Sequence, residues 1–203
     1  MSRAPLTASA FALTSGHPAD ARAFVTVETI GPGRAFGVAV EPLEFTPRGV
    51  ERAMLARATI GDVLRRMAAA DPALALAQAF GEADAAVVAD NRPPDGVPWE
   101  RRTLIGATAF VIGDRGLTIA QAPPAQAIVV QDRQAYAFPD LRSWRADYDP
   151  SAPLFEPAPL GAGEGARPSL YRSVAAADDK SGRADQRAAL PRNAVRRPVV
   201  GDD

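Results

Sequence analysis

At 203 residues, with 47% hydrophobic and 23% charged side chains, the chain is sized and composed for one folded domain with a tail, not for wholesale disorder. A formal net charge of −1 argues against a general electrostatic nucleic-acid binder. The absence of cysteine and the single histidine, His17, exclude disulfides, thiolate zinc sites, cysteine nucleophiles and multi-histidine metal centres.

No run approaches the roughly 18 to 20 apolar residues that a membrane span needs. The first residues, MSRAPLTASAFALTSG, hold one arginine and a broken apolar segment, short of a secretion signal. A cytoplasmic protein with no membrane partner is the expectation. The Ala- and Arg-rich bias resembles that of a high-GC bacterial genome and says little about function.

In chain order, Ala23 to Glu28 alternates apolar and polar residues, and Ala35 to Val40 is more uniformly apolar. The glycine-rich Ile30-Gly31-Pro32-Gly33-Arg34 between them predicts a hairpin whose second strand is the more buried. A strand follows these glycines and no helix does, so they are a turn and not a phosphate loop. Thr46-Pro47 is a helix start: a hydroxyl N-cap, then a proline whose missing N–H is harmless in the first turn. The helix runs to about Met67, with Val50, Met54, Ile60, Val63, Leu64 and Met67 near one stripe and arginines opposite. Gly49 and Gly61 weaken it by roughly 1 kcal/mol each relative to alanine. Asp71-Pro72 repeats the start signal, and Leu76, Phe80, Ala83 and Val87 line one face of a second helix reaching about Ala89.

Asn91 to Glu100 (NRPPDGVPWE) has the composition of an exposed loop. Leu104 to Pro139 predicts three or four short strands in a meander: Gly106 to Ile112, Leu117 to Ala122, Ala127 to Gln131, and a return through Ala135 to Phe138. Turns at Gly113-Asp114-Arg115-Gly116 and Asp132-Arg133-Gln134 separate them. Pro168 to Val174 offers one more strand. Residues 1–177 are expected to form the domain, and residues 178–203, polar and without periodicity, a disordered tail. The order strand, strand, helix, helix, strands is an α+β pattern with helices covering a largely antiparallel sheet.

These residues in this order resemble the N-terminal part of the PP2C (PPM) family of metal-dependent serine/threonine phosphatases. Ala75-Leu76, Ala79-Phe80, Ala83 and Val87 match the family's second helix. Gly106-Ala107-Thr108-Ala109 matches the strand that opens its next hairpin, and Leu117-Thr118-Ile119-Ala120 the strand after it. Ile128 to Tyr136 and Pro159-Leu160-Gly161 match later segments. The resemblance covers roughly residues 15 to 175 and implies a PP2C-like β-sandwich of largely antiparallel sheets flanked by helices, possibly incomplete at its C-terminal end. Such a partial sandwich is expected either to be marginally stable or to need a partner, which can be a second copy, over its exposed apolar surface.

The resemblance also implies a chemistry, and there the chain departs. The family holds two Mg²⁺ or Mn²⁺ ions through aspartates and a backbone carbonyl, and a bridging water attacks phosphorus. Its Asp-Gly at the end of the second strand is Glu41-Pro42 here, and Leu43-Glu44-Phe45-Thr46 stands where further glycines are usual. Its Gly-Asp-Ser-Arg position reads Ala122-Pro123-Pro124-Ala125, and the later Ser-Asp-Gly and Gly-Asp-Asn are not found. The retained carboxylates, Asp20 and Glu41, are the candidate metal ligands, set against an exposed turn aspartate and a glutamate at a strand end.

Other features have plainer readings. His17 is a solvated histidine before it is a general acid or base, and Asp147-Tyr148-Asp149 lacks the glycine turn and distal glutamate of a calcium loop. Trp99 and Trp144 serve as core-edge packing or as interface anchors. Arg192, Arg196 and Arg197 belong to a tail diluted by Asp202 and Asp203. The expected function is a non-catalytic PP2C-like domain, a pseudophosphatase with no catalytic residue and no cofactor, acting by binding a protein partner or a phosphorylated protein segment, or through self-association. Two alternatives stay open: a divergent Mn²⁺- or Mg²⁺-dependent phosphatase, and a truncated or frame-shifted phosphatase product, suggested by the change in composition at Asp178.

Overall fold

The computed structural model describes residues 21–91, 103–113, 116–131, 134–138, 159–162, 169–174 and 195–198. One helical turn, α1 (Ala21–Phe24), leads into the hairpin of β1 (Val25–Gly31) and β2 (Arg34–Pro42). The strands reverse through Gly33, whose φ of 67° lies in the left-handed region that glycine occupies without steric penalty. As expected, β2 is the more buried strand: Phe36, Val38 and Val40 point into the core.

Both helix starts behave as the sequence predicts. Thr46, in an extended conformation, caps α2 (Pro47–Arg66) by accepting a hydrogen bond from the Gly49 N–H at 3.0 Å. Asp71 does the same for α3 (Pro72–Asn91), accepting from the Ala73 N–H at 2.9 Å. Leu76, Phe80, Ala83 and Val87 are all fully buried, so the apolar face of α3 is as read. The stripe on α2 needs one correction. Met54 is 42% exposed, and Ala53 and Ala56 occupy the buried line with Ile60, Val63 and Leu64. Met54 follows Ala53 by one residue and is therefore turned about 100° around the axis from it. Ala53 and Ala56 of α2 and Ala75 and Ala79 of α3 are all buried in the one core that the helices share with the sheet.

Five antiparallel strands, in the order β1-β2-β3-β4-β7, form the main sheet, and both long helices cover one face of it. Here β3 is Ile105–Gly113, β4 is Gly116–Ala122 and β7 is Ser169–Val174. A second, three-stranded sheet has the order β5-β6-β8, from β5 (Ala127–Gln131), β6 (Gln134–Phe138) and β8 (Val195–Pro198). The α+β class is the one expected. The single meander is not. The chain leaves the first sheet after β4, and β7 takes the place beside β4 that β5 was expected to hold. Pro123 and Pro124 explain the exit, since neither has an N–H for the ladder. Within the segment expected to be a disordered tail, β8 is a strand paired with β6; the other residues of 178–203 lie outside the described residues.

The two sheets meet through Ile119, which packs with Phe110 and Leu117 of the first sheet and with Ala127 and Val129 of β5. On the opposite side, α2 is tied to β1 by polar contacts. The Arg65 guanidinium grips both oxygens of Glu28, at 2.6 and 2.8 Å, and Arg57 donates to Thr26 Oγ1 at 2.5 Å.

Candidate functional site

The alternation of β2 decides where Glu41 can act. Phe36, Val38, Val40 and Pro42 turn toward the helices and are buried, whereas Ala39 and Glu41 are exposed on the other face. Glu41 is therefore on the face that the second sheet approaches, at the end of the first sheet. Its register partner is Gly106, the second residue of β3. A β-carbon at position 106 would come within 2.9 Å of Pro124 Cδ, 3.0 Å of Glu41 Cγ and 3.1 Å of Glu41 Oε1. The Glu41 side chain thus lies over the bare α-carbon of Gly106, with the Pro124 ring beside it. Burial of the carboxyl against these groups pushes it above the ordinary glutamate value. The residue as a whole stays exposed, which moderates that effect.

Gln121, which the sequence reading passed over, belongs to the same end of the sheet. It sits opposite Thr108 in the β3–β4 ladder and is fully buried. Its amide nitrogen donates to Thr108 Oγ1 and to the Ala125 carbonyl, both at 3.4 Å, and its Oε1 has no hydrogen-bond partner. The available signal was a lone polar residue in the run Ile119-Ala120-Gln121-Ala122. Beyond Glu41 the chain is held in place, with the Leu43 N–H donating to the Leu104 carbonyl at 3.0 Å. The next residues present two apolar side chains to solvent, Leu43 at 42% and Phe45 at 47% exposed, and Phe45 rests against Phe24 with ring centres 5.8 Å apart.

The described residues do not fit a two-metal centre. Hard divalent cations take several oxygen ligands, preferably ionised ones. Burial of the Glu41 carboxyl pushes it above the ordinary glutamate value, and Pro42 follows it where the resemblance implies glycine. Among the described residues, no three His, Asp or Glu side chains cluster to hold an ion. Asp20, the other candidate ligand, lies outside the described residues, as do His17, Asp147, Tyr148, Asp149, Trp99, Trp144 and Arg192. Arg196 and Arg197 fall in β8.

A second polar cluster is structural. Asp84 and Asn91 project from α3 and are buried, at 5% and 8% exposure. Asp84 Oδ1 accepts from the Gly161 N–H at 2.8 Å, while Asn91 exchanges hydrogen bonds with the backbone of Thr103 at 2.8 and 3.1 Å. Together with the Ile105–Leu160 bridge, they seat residues 159–162 against α3 and the start of β3. Among the described residues, no helix is long and apolar enough to cross a membrane.

No protein-family model and no curated protein sequence matches the chain. Among solved structures, the chain is similar to a Stage II sporulation E family protein from Thermanaerovibrio acidaminovorans, at a TM-score of 0.47 and 19% identity over 75% of this chain and 72% of that one. It is also similar to the PPM Ser-Thr phosphatase MsPP from Mycobacterium smegmatis, solved in complex with cacodylate, at a TM-score of 0.47 and 16% identity over 72% of this chain. It spans 64% of that phosphatase chain, just under two thirds of its length.

Proposed function

We propose that the chain is a PP2C-like domain that acts by binding a protein partner and does not turn over phosphate esters. The observation that carries this reading is the seat of Glu41. Its carboxyl is packed over the bare α-carbon of Gly106 beside the Pro124 ring, and Pro42 follows it, a seat that leaves little room to gather the several oxygen ligands a hard cation takes. Just beyond Glu41 in the chain, Leu43 and Phe45 are exposed apolar side chains. A protein segment with apolar side chains and a backbone hydrogen-bond donor suits such a surface.

The test is hydrolysis of p-nitrophenyl phosphate with and without millimolar Mn²⁺, with a thermal melt under both conditions. Wild type, Asp20→Ala and Glu41→Ala run side by side. The expected result is no Mn²⁺-dependent turnover and no Mn²⁺ shift of the melt in any of the three. Manganese-dependent turnover in the wild type, abolished by Asp20→Ala or Glu41→Ala, would overturn the reading and establish a divergent phosphatase.

A further inference from the structure

We propose that β5 is the contact strand of a homodimer in which two copies pair antiparallel along their β5 edges. The order β5-β6-β8 places β5 at the edge of the second sheet. It pairs with β6 on one side, and among the described residues no strand pairs with it on the other. Ile128 and Val130 are 66% and 63% exposed, more than the other exposed large apolar side chains among the described residues.

Edge strands in monomeric proteins are protected by charge, proline, a bulge or a covering element, because their free N–H and C=O groups template further pairing. Ala127–Gln131 reads AIVVQ, with no charge and no proline, and its register with β6 is unbroken.

The strand's own chemistry selects a second copy as the occupant. Because it is uncharged, two copies bring no like charges together. Two-fold antiparallel pairing centred on Val129 sets Ile128 of each copy opposite Val130 of the other, and Ala127 opposite Gln131. Both exposed apolar residues then gain a β-branched cross-strand neighbour. Ala127 and Val129 keep their packing against Ile119, so pairing needs no rearrangement of the inter-sheet contact. The product is a continuous six-stranded sheet from two three-stranded ones.

Sedimentation velocity of the full chain across micromolar concentrations tests the inference. A discrete, concentration-dependent dimer is expected. Ile128→Lys and Val130→Lys should each weaken association roughly tenfold or more, by setting a cation against an apolar pair, with the far-UV circular dichroism unchanged. Amide hydrogen exchange of the wild type should slow across residues 127–131 as concentration rises. That readout decides the matter if a lysine variant does not fold. A monomer at all concentrations, open-ended aggregation, lysine variants that dimerise like the wild type, or exchange at 127–131 indifferent to concentration would each overturn it.

Discussion

Asp84 offers the sharpest test of how the helices and the sheet are joined, because two opposing effects meet on one buried carboxyl. It is 5% exposed, and burial pushes it above the ordinary aspartate value of 3.8, while the hydrogen bond from the Gly161 N–H at 2.8 Å acts in the other direction. Asp84→Ala removes the acceptor and strands a buried N–H, a loss of about 1–3 kcal/mol. Asp84→Asn keeps an acceptor oxygen in place, removes the charge and puts an NH2 group where the second carboxylate oxygen stood. The two variants should therefore differ by about 2 kcal/mol, or roughly 4–8 °C in Tm for a chain of this length. The charge itself shows in the pH dependence. A carboxyl whose folded pKa is raised binds its proton more tightly when folded, so its stabilising contribution is complete below 3.8 and is lost as pH rises through the folded value. Wild type should lose stability relative to Asp84→Asn on going from about pH 4 to neutrality, and Asn should equal or exceed wild type at pH 7. Urea unfolding of the three proteins at both pH values checks this. Equal destabilisation by Ala and Asn, or a gap between wild type and Asn that does not move with pH, would refute the reasoning.

Gly161→Ala should cost about 1–3 kcal/mol from the backbone alone, since its φ is 88°. Crowding adds to that, because a β-carbon there would lie 2.6 Å from Val87 Cγ1 and 2.7 Å from the Thr103 carbonyl oxygen; the same urea titrations measure the sum. Phe80→Ala, at a fully buried position, should cost about 3–5 kcal/mol. Met54→Ala should stay within about 0.5 kcal/mol of wild type, and so checks the position of the α2 stripe. Glu28→Gln should cost about 0.2–1 kcal/mol, because the side chains of its pair with Arg65 are 34% and 46% exposed; the effect should fade in high salt. The Arg65 hydrogen bond holds the Glu28 carboxyl below the usual glutamate range. Its contribution is therefore present above the ordinary value of 4.5 and lost as pH falls through the lowered folded value, which an acid titration of stability will show.

What could be read from the sequence divides along the reach of the interactions. Thr46-Pro47 and Asp71-Pro72 start helices through contacts two or three residues away, and both were legible. Met54 was misplaced because hydrophobicity was weighed ahead of angular position, and the alanines at 53 and 56 fill the buried line of α2 instead. The neighbour of β4 was not legible, since β7 is brought beside it by long-range pairing, although Pro123-Pro124 marked where the first sheet releases the chain. The same division holds at the candidate site. Glu41 was legible as a carboxylate at a strand end, but its seat depends on a register with Gly106 that no local pattern states. The residues that carry the PP2C resemblance, Leu76, Phe80, Ala83, Val87 and Gly106, are fully buried or sterically closed. Packing alone is reason enough for them to take those forms. The segments that would carry phosphatase chemistry, Glu41 to Thr46 and Ala122 to Ala125, are where the pattern departs. A resemblance held by packing predicts an architecture and leaves the reaction open. For that reason the question of activity falls on Asp20, Glu41 and a manganese titration, and not on the fold.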